Sequence, residues 1–378
     1  MVKSCTSDKW IAKLFRTECI DMAMAQKRRK KSNTVKWSQT KIITALATFT
    51  IGCFSLSVFG EDLFKKVTQS GDNTACLSQF YAKNPAYPVK TSLDKDSYSL
   101  CFNDFSVFYS GVSKTPLYVG EFLDPVRLDP NKKIPREDSF HEEDAVLPEH
   151  RAVLADYRGS GYDRGHMAPN ADMNNKAAQH DSFSLANMVP QAPKNNQQVW
   201  RELEEATRAL VTKQKQDIYV LTGPVYTGKK LKVIGDNKVI VPTAVYKVLY
   251  LPKLGIASAY LAPNDSSLKV ESVSICALEE LTGFNFFPTL NEETKRNVYQ
   301  LPKTAQQVKT NSQLRYLHSD QSSQCAQDLT PYQQEQMQAR FVPHQSSIPS
   351  SVQSSDSAAE IKNILLKLLQ SFIESGLK

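Results

Sequence analysis

Five blocks rich in aromatic and β-branched residues constrain this chain most. They are YSLCFNDFSVFYS (98–110), TPLYVGEFL (115–123), DIYVLTGPVYTG (217–228), KVIVPTAVYKVLYL (238–251) and GIASAYLAPN (255–264). Side chains branched at Cβ suit a pleated surface, and turn formers such as Ser110-Gly111 separate the first two blocks. Each block therefore reads as strand. The loose alternation suggests a sheet with one covered face. Two segments carry a helical period instead: Asn196 to Lys213, and ESVSICALEELTGF (271–284), which Gly283 would stop. The expected class is α+β, a mainly antiparallel central sheet with flanking helices. Residues 124–160, with Pro125, Pro130 and Pro135 among many charges, read as loop.

The chain of 378 residues is longer than that body needs. Residues 1–60 read as a leader. Of the chain's 46 Lys and Arg, 11 lie in residues 1–41, against 3 of its 39 acidic residues. The remaining 35 basic and 36 acidic residues leave the body near neutral, so the net charge of +7 is no argument for a polyanion partner. The cluster Lys27-Arg28-Arg29-Lys30-Lys31 precedes an uncharged run from Ile42 to Gly60, the pattern of a secretory signal. Export to a periplasm or medium is the expectation. A retained membrane anchor or a mitochondrial presequence is the alternative. Residues 61–302 form the expected domain. Residues 303–356, which turn heavy in Ser and Gln, read as a disordered linker. At the C-terminus, 357–378, a capping box at Ser357 and Glu360 opens an amphipathic helix with Ile361, Ile364, Leu365, Leu368, Phe372 and Ile373 on one stripe. Residues 42–60 and the 357–376 helix are the candidate membrane contacts. That helix could equally bind a partner or pack back on the domain.

Three of the seven cysteines, Cys5, Cys19 and Cys53, lie in the leader. The other four permit three pairings, and neighbour pairing, Cys76–Cys101 and Cys276–Cys325, closes the shortest loops. An oxidising compartment is then implied.

The chemistry centres on DYRGSGYDRGHMAPNADM (156–173). Glycines 159, 161 and 165 let the backbone turn sharply around Arg164 and His166. Hydrolysis of a phosphodiester needs a base for water and a cation for the phosphoryl charge. A neutral imidazole suits the first; Mg²⁺, which needs only one or two protein oxygens, suits the second. Downstream, a helix starting near Asn195 would place Asn196, Trp200, Glu204 and Arg208 along one side, with Val199, Leu203, Ala206 and Leu210 on the packing stripe. Singly, each residue has a plainer reading: loop histidine, helix cap, surface ion pair, core tryptophan.

Together, YDRGHMAP, SFSLANMVPQ and NQQVWRELE resemble the signature of the DNA/RNA non-specific endonucleases, the ββα-metal or His-Me finger enzymes. The likeness spans roughly residues 76–290. It implies a sugar-non-specific endonuclease that leaves 5′-phosphate products, uses Mg²⁺ (with Mn²⁺ able to substitute) and holds DNA or RNA through the phosphate backbone. It also implies roles. His166 matches the general base and Asn196 the metal ligand. Glu204 matches the carboxylate that orders the metal's water shell, and Arg208 an arginine supporting that carboxylate or a phosphate. Asn187 matches an asparagine near the scissile phosphate. Arg164 is placed to contact phosphate or order the loop, and Asp163 to order the loop. For the arginine that stabilises the transition state, Arg127, Lys133 and Arg136 compete, with Arg136 preferred. Where Serratia-type members carry another asparagine, four residues before position 187, this chain has Phe183. A homodimer is a further implication. A near-neutral body would have to concentrate its cations locally, with Arg151, Arg158, Arg164, Lys194 and Arg201 as candidates. The competing readings are an inactive module of the same fold that only binds nucleic acid or a partner, and a membrane-anchored interaction protein. No close carboxylate pair favours a glycosidase.

Overall fold

The structure is a computed structural model that describes residues 73–342, apart from 130, 132 and 133. The leader, Lys133 and the C-terminal helix of 357–378 lie outside the described residues. All five strand-forming blocks, with one further short strand, build one seven-stranded antiparallel sheet. The first block holds two strands, β1 (Ser97–Cys101) and β2 (Ser106–Ser110), because Asn103-Asp104 turns the chain in its middle. They are followed by β3 (Thr115–Leu123), and after a long excursion by β6 (Ile218–Val225), β7 (Ala244–Leu251), β8 (Ile256–Pro263) and β9 (Glu271–Val273). The excursion contains a separate two-stranded ribbon, β4 (Asp163–His166) and β5 (Met188–Gln191), and the helix that follows it. In space the large sheet runs β9-β8-β7-β6-β3-β2-β1.

The expectation of one covered face is corrected: both faces are buried. Along β7, Val245, Lys247, Leu249 and Leu251 point to one side, while Tyr246, Val248 and Tyr250 point to the other, and every residue of the strand is buried. On the first side the sheet packs against Trp200, Leu203 and Leu210 of the helix after the ribbon. The other side packs against Leu278 of the helix Ile275–Thr282, Phe284, Phe286, and Met337 and Phe341 near the end of the described chain. A sheet buried on both faces loses the apolar/polar alternation of a half-exposed one. The helix Ile275–Thr282 ends as expected on Gly283, whose φ is 79°.

Residues 303–342 are not linker where the structure describes them. Arg315–Ser319 forms a strand against Asn297–Gln300, and Pro331–Arg340 forms a helix with a capping box at Thr330 and Gln333. Its Met337 and the following Phe341 enter the second core, and Asn73 donates to Gln338 O at 3.3 Å. A few apolar anchors and one covalent tie order a segment whose average composition is that of a linker. The tie is Cys276–Cys325; the other disulfide, Cys76–Cys101, completes the pairing of nearest neighbours. Their Cα–Cα separations are 4.2 and 5.4 Å.

Candidate active site

The ribbon β4/β5 and the helix after it form a ββα unit lying on the first face of the sheet. The loop that leads into β4 turns at Gly159 and Gly161, with φ of 67° and 80°. These values are open to glycine and costly for most other residues. The ribbon register places His166 opposite Met188 and Asp163 opposite Gln191. Gly165, between Arg164 and His166, faces the Gln191 side chain so closely that a Cβ would overlap it. Gln191 is itself fixed, donating to Asn195 Oδ1 at 2.5 Å. Gly165→Ala is therefore expected to destabilise the fold by about 1–3 kcal/mol, and to misplace His166. Urea unfolding, together with the activity of the residual folded protein, checks both.

Asn187 does not reach the cavity. It is fully buried; its Oδ1 accepts from Ala168 N at 2.8 Å, and its Nδ2 donates to Ala168 O and Ser182 O, both at 2.9 Å. The expected contact with substrate is corrected to a structural one: the amide clamps the segment just after His166. The reason is that all of its polar atoms are consumed by backbone.

The helix begins with a π turn, Asn195–Trp200, and continues as α-helix over Arg201–Gln214. Hydrogen bonds from i to i+5 make that turn wider than an α turn, so a step of four residues across it does not return to the same side. Asn196, Glu204 and Arg208 line the cavity, but Trp200 turns inward and is 1% exposed. Trp200, on the same side by sequence spacing, thus has its plainer reading, a core residue among the three polar groups. Asn196 Nδ2 donates to Asp163 Oδ2 at 2.9 Å, as does Gln197 Nε2 at 2.8 Å. Asp163 thereby orients the amide and leaves its oxygen for the cavity.

The cavity has a volume of about 1120 Å³ and is lined by Arg136, Arg164, His166, Asn196, Glu204 and Arg208, among others. They come from three segments, at 136, at 164–166 and at 196–208, which the fold brings to one cavity. His166 sits between the rings of Phe140 and Phe183, at centroid distances of 5.7 and 5.2 Å, and its Nε2 is buried without a hydrogen-bond partner. Burial, and then the cations of Arg136 and Arg164, push its pKa down to about 3. The imidazole is neutral at physiological pH and can accept a proton. The two arginines are held over the same aromatic pair: Arg164 lies 4.1 Å from the Phe140 centroid and Arg136 5.2 Å from that of Phe183. Phe183 is more than a lost asparagine; it forms the wall for both His166 and Arg136.

Arg136 is exposed and pairs with Asp138 at 2.6 Å. Its rival Arg127 is consumed by structure: its guanidinium donates to Asp172 O, Asp104 O and Phe122 O and pairs with the buried Glu121 at 3.2 Å. That removes Arg127 from the candidates for touching substrate. Arg208 pairs with Asp172 at 2.8 Å, so the expected link from Arg208 to Glu204 is joined by a residue that the sequence did not single out. Lys247 was equally hidden in the strand pattern. It is 1% exposed, donates to Thr222 Oγ1 at 2.8 Å and places its ammonium 5.5 Å from the Trp200 ring centroid.

Glu204 makes no hydrogen bond or ion pair among the described residues, and burial raises its pKa to about 7 against the opposing cations Lys247 and Arg208. The Asn196 oxygen likewise accepts no hydrogen bond among them. One amide oxygen and one uncommitted carboxylate beside open solvent suit a hard divalent cation that keeps most of its waters. Sulfur is absent from this set, so it does not suit a thiophilic metal.

The ββα unit carries His166 on its ribbon and Asn196 on its helix, and both line one polar cavity. The family model described as DNA/RNA non-specific endonuclease matches residues 82–293. Human mitochondrial endonuclease G is 39% identical over 216 residues, covering 52% of this chain and 69% of that protein. A nuclease from Nostoc sp. is 32% identical over 234 residues, covering 57% and 82%. The mitochondrial nuclease of Saccharomyces cerevisiae is 33% identical over 220 residues, covering 51% and 66%. This chain belongs to the DNA/RNA non-specific endonuclease family.

Proposed function

We propose that the protein hydrolyses phosphodiester bonds of both DNA and RNA with Mg²⁺, leaving 5′-phosphate ends, and that Mn²⁺ can replace Mg²⁺. The observation that carries this reading is the convergence of His166 and Asn196 on one cavity, each from its own half of the ββα unit. Asn196 would hold the ion through its oxygen, with Glu204 hydrogen-bonding the ion's water shell. When bound, the ion supplies positive charge next to the phosphoryl and leaving oxygens.

The chain's own groups do the rest. The His166 imidazole, neutral before substrate arrives, takes a proton from the attacking water. Arg136 and Arg164 lie on the same wall and neutralise the non-bridging phosphate oxygens. A bound phosphodiester offsets these two cations, which lifts the imidazole's proton affinity at the moment it is needed. Phe140 and Phe183 exclude water from one side of the ring and so strengthen each charge contact. Arg208, fixed by Asp172, holds the carboxylate of Glu204 in place electrostatically. Contacts of this kind reach phosphate and sugar, so base preference is slight.

Two disulfides support a working place that is oxidising, whether outside the cell or in the mitochondrial intermembrane space. Among the described residues, no helix is long and apolar enough to cross a membrane. A membrane contact would thus rest on residues 42–60 or the 357–376 helix.

A nicking assay on supercoiled plasmid and a parallel assay on RNA, each with Mg²⁺ and with EDTA, test the activity. Cleavage of neither substrate in Mg²⁺ would sink the reading. For the ligand, Asn196→Ala is expected to raise the Mg²⁺ concentration for half-maximal activity by at least about tenfold, the scale of 1.4 kcal/mol. A metal titration unchanged from the parent protein would move the ion to other residues.

A further inference from the structure

Once the reading above is accepted, the near-neutral body poses a question: which cations hold the rest of the strand? Several arginines named from sequence are committed elsewhere. Arg151 pairs with Asp144 at 2.6 Å and Glu142 at 3.7 Å, and Arg201 faces Glu205 at 4.0 Å. Among the described residues, the side chains of Arg158, Arg164 and Lys232 enter no hydrogen bond and no ion pair. An unpaired cation at a surface cavity is ready to meet an anion without first breaking a contact.

These three lie along one path. Arg164 lines the large cavity, and Arg158 lines both it and a second cavity of about 460 Å³. Lys232 lines the second cavity, and its ammonium stands 4.7 Å from the ring centroid of Tyr162, which belongs to the wall of the first. Arg158 and the Tyr162–Lys232 pair therefore connect the two spaces. The loop that divides them carries Gly159 and Gly161, and a Cβ built on either would meet no atom within 4 Å. The space beside the backbone there is open, as a passing strand requires.

Acidic groups of the second cavity must be counted against this. Asp156 is buried and spends its carboxylate on Val153 N at 2.9 Å, Asn237 N at 3.1 Å and Asn237 Nδ2 at 3.1 Å. Its charge is spread over those donors. Asp236 is exposed in the same wall, and opposes an anion.

The geometry points to a second phosphate subsite, made by Arg158 and Lys232, that takes a phosphate of the same nucleic-acid strand next to the scissile link. It rests on the nuclease reading but deepens it: the substrate is a strand of several nucleotides, held at two cavities, rather than a single phosphodiester. Lys232 leaves its aromatic rest to meet the phosphate, and the Tyr162 face so uncovered can stack the intervening base. Asp236 limits how tightly the strand is kept, which favours release of products.

The test is binding of a single-stranded DNA oligonucleotide in EDTA, as a function of salt. Each phosphate neutralised on a single strand contributes about 0.7 to the slope of log K against log salt. The double variant Arg158→Gln with Lys232→Gln removes the one phosphate held there and is expected to flatten that slope by about 0.7. Asp236→Asn should tighten binding at fixed salt, a gain that a misfolded variant cannot mimic. An unchanged slope in the double variant, or no gain in Asp236→Asn, overturns the subsite even if the parent protein binds and cleaves normally. Should the parent protein itself neither bind nor cleave nucleic acid, the nuclease reading falls and the subsite with it.

Discussion

Replacing His166 with alanine is expected to abolish Mg²⁺-dependent cleavage of DNA and RNA alike while the protein stays folded. The rate falls by about 10²–10⁴-fold, the usual contribution of a positioned general base. Among the described residues, no other imidazole lines the cavity. The neighbouring groups are also poor substitutes. Arginine holds its proton at any working pH, and Glu204 lies on the helix Arg201–Gln214 rather than on the ribbon that carries His166. The fold should tolerate the change, because His166 makes no side-chain hydrogen bond and its Nε2 is already unpartnered. Single-turnover cleavage and near-ultraviolet circular dichroism, measured on one preparation, check the two halves. Normal turnover in the variant would refute the assignment outright.

The second large effect lies far from the chemistry. Lys295, 3% exposed, pairs with the wholly buried Glu279 at 2.8 Å and donates to Asn285 Oδ1 at 2.7 Å. Glu279 also accepts from Phe286 N at 2.9 Å and Ala326 N at 2.8 Å, next to the disulfide at Cys325. This one carboxylate joins the helix Ile275–Thr282, the chain after it and the C-terminal segment. Lys295→Met leaves a buried anion without its partner, so a loss of about 3–5 kcal/mol is expected. Burial already raises the Glu279 pKa, against the opposing pull of Lys295. Removing the lysine raises it further. A folded-state carboxyl that binds its proton more tightly than the unfolded chain loses stability as pH rises from the unfolded pKa to the folded one. The deficit of the variant is therefore smallest near pH 4 and grows towards neutrality. Denaturant unfolding at the two pH values measures it; an equal deficit at both would show that Glu279 is not the group left charged.

The residues 303–342 show why composition misleads. Ser and Gln dominate the average, yet Met337, Phe341 and Cys325 decide the outcome, because a segment is ordered by the few contacts that offset its entropy. The same holds for Asn187. The family resemblance implies a place near the scissile phosphate, and only the positions of Ala168 and Ser182 around it reveal that its hydrogen bonds go to backbone. Arg127, a rival of the preferred Arg136 by sequence, is separated from it by the carbonyls that capture its guanidinium.

The sequence by itself determined the strand blocks, the α+β class, the cysteine pairing by proximity, and the ribbon–helix unit with His166, Asn196, Glu204 and Arg208. The strands, the class and the pairing follow from local period, spacing and residue chemistry, and the unit with its four residues from the resemblance of the YDRGHMAP, SFSLANMVPQ and NQQVWRELE motifs; both travel with the chain. Tertiary structure alone decided that both faces of the sheet are covered. It brought Phe140 and Phe183 around the imidazole, and joined Asp172 and Lys247 to the site. Those outcomes depend on which distant segments meet, and a buried partner leaves no mark on the local pattern of the residue it will touch.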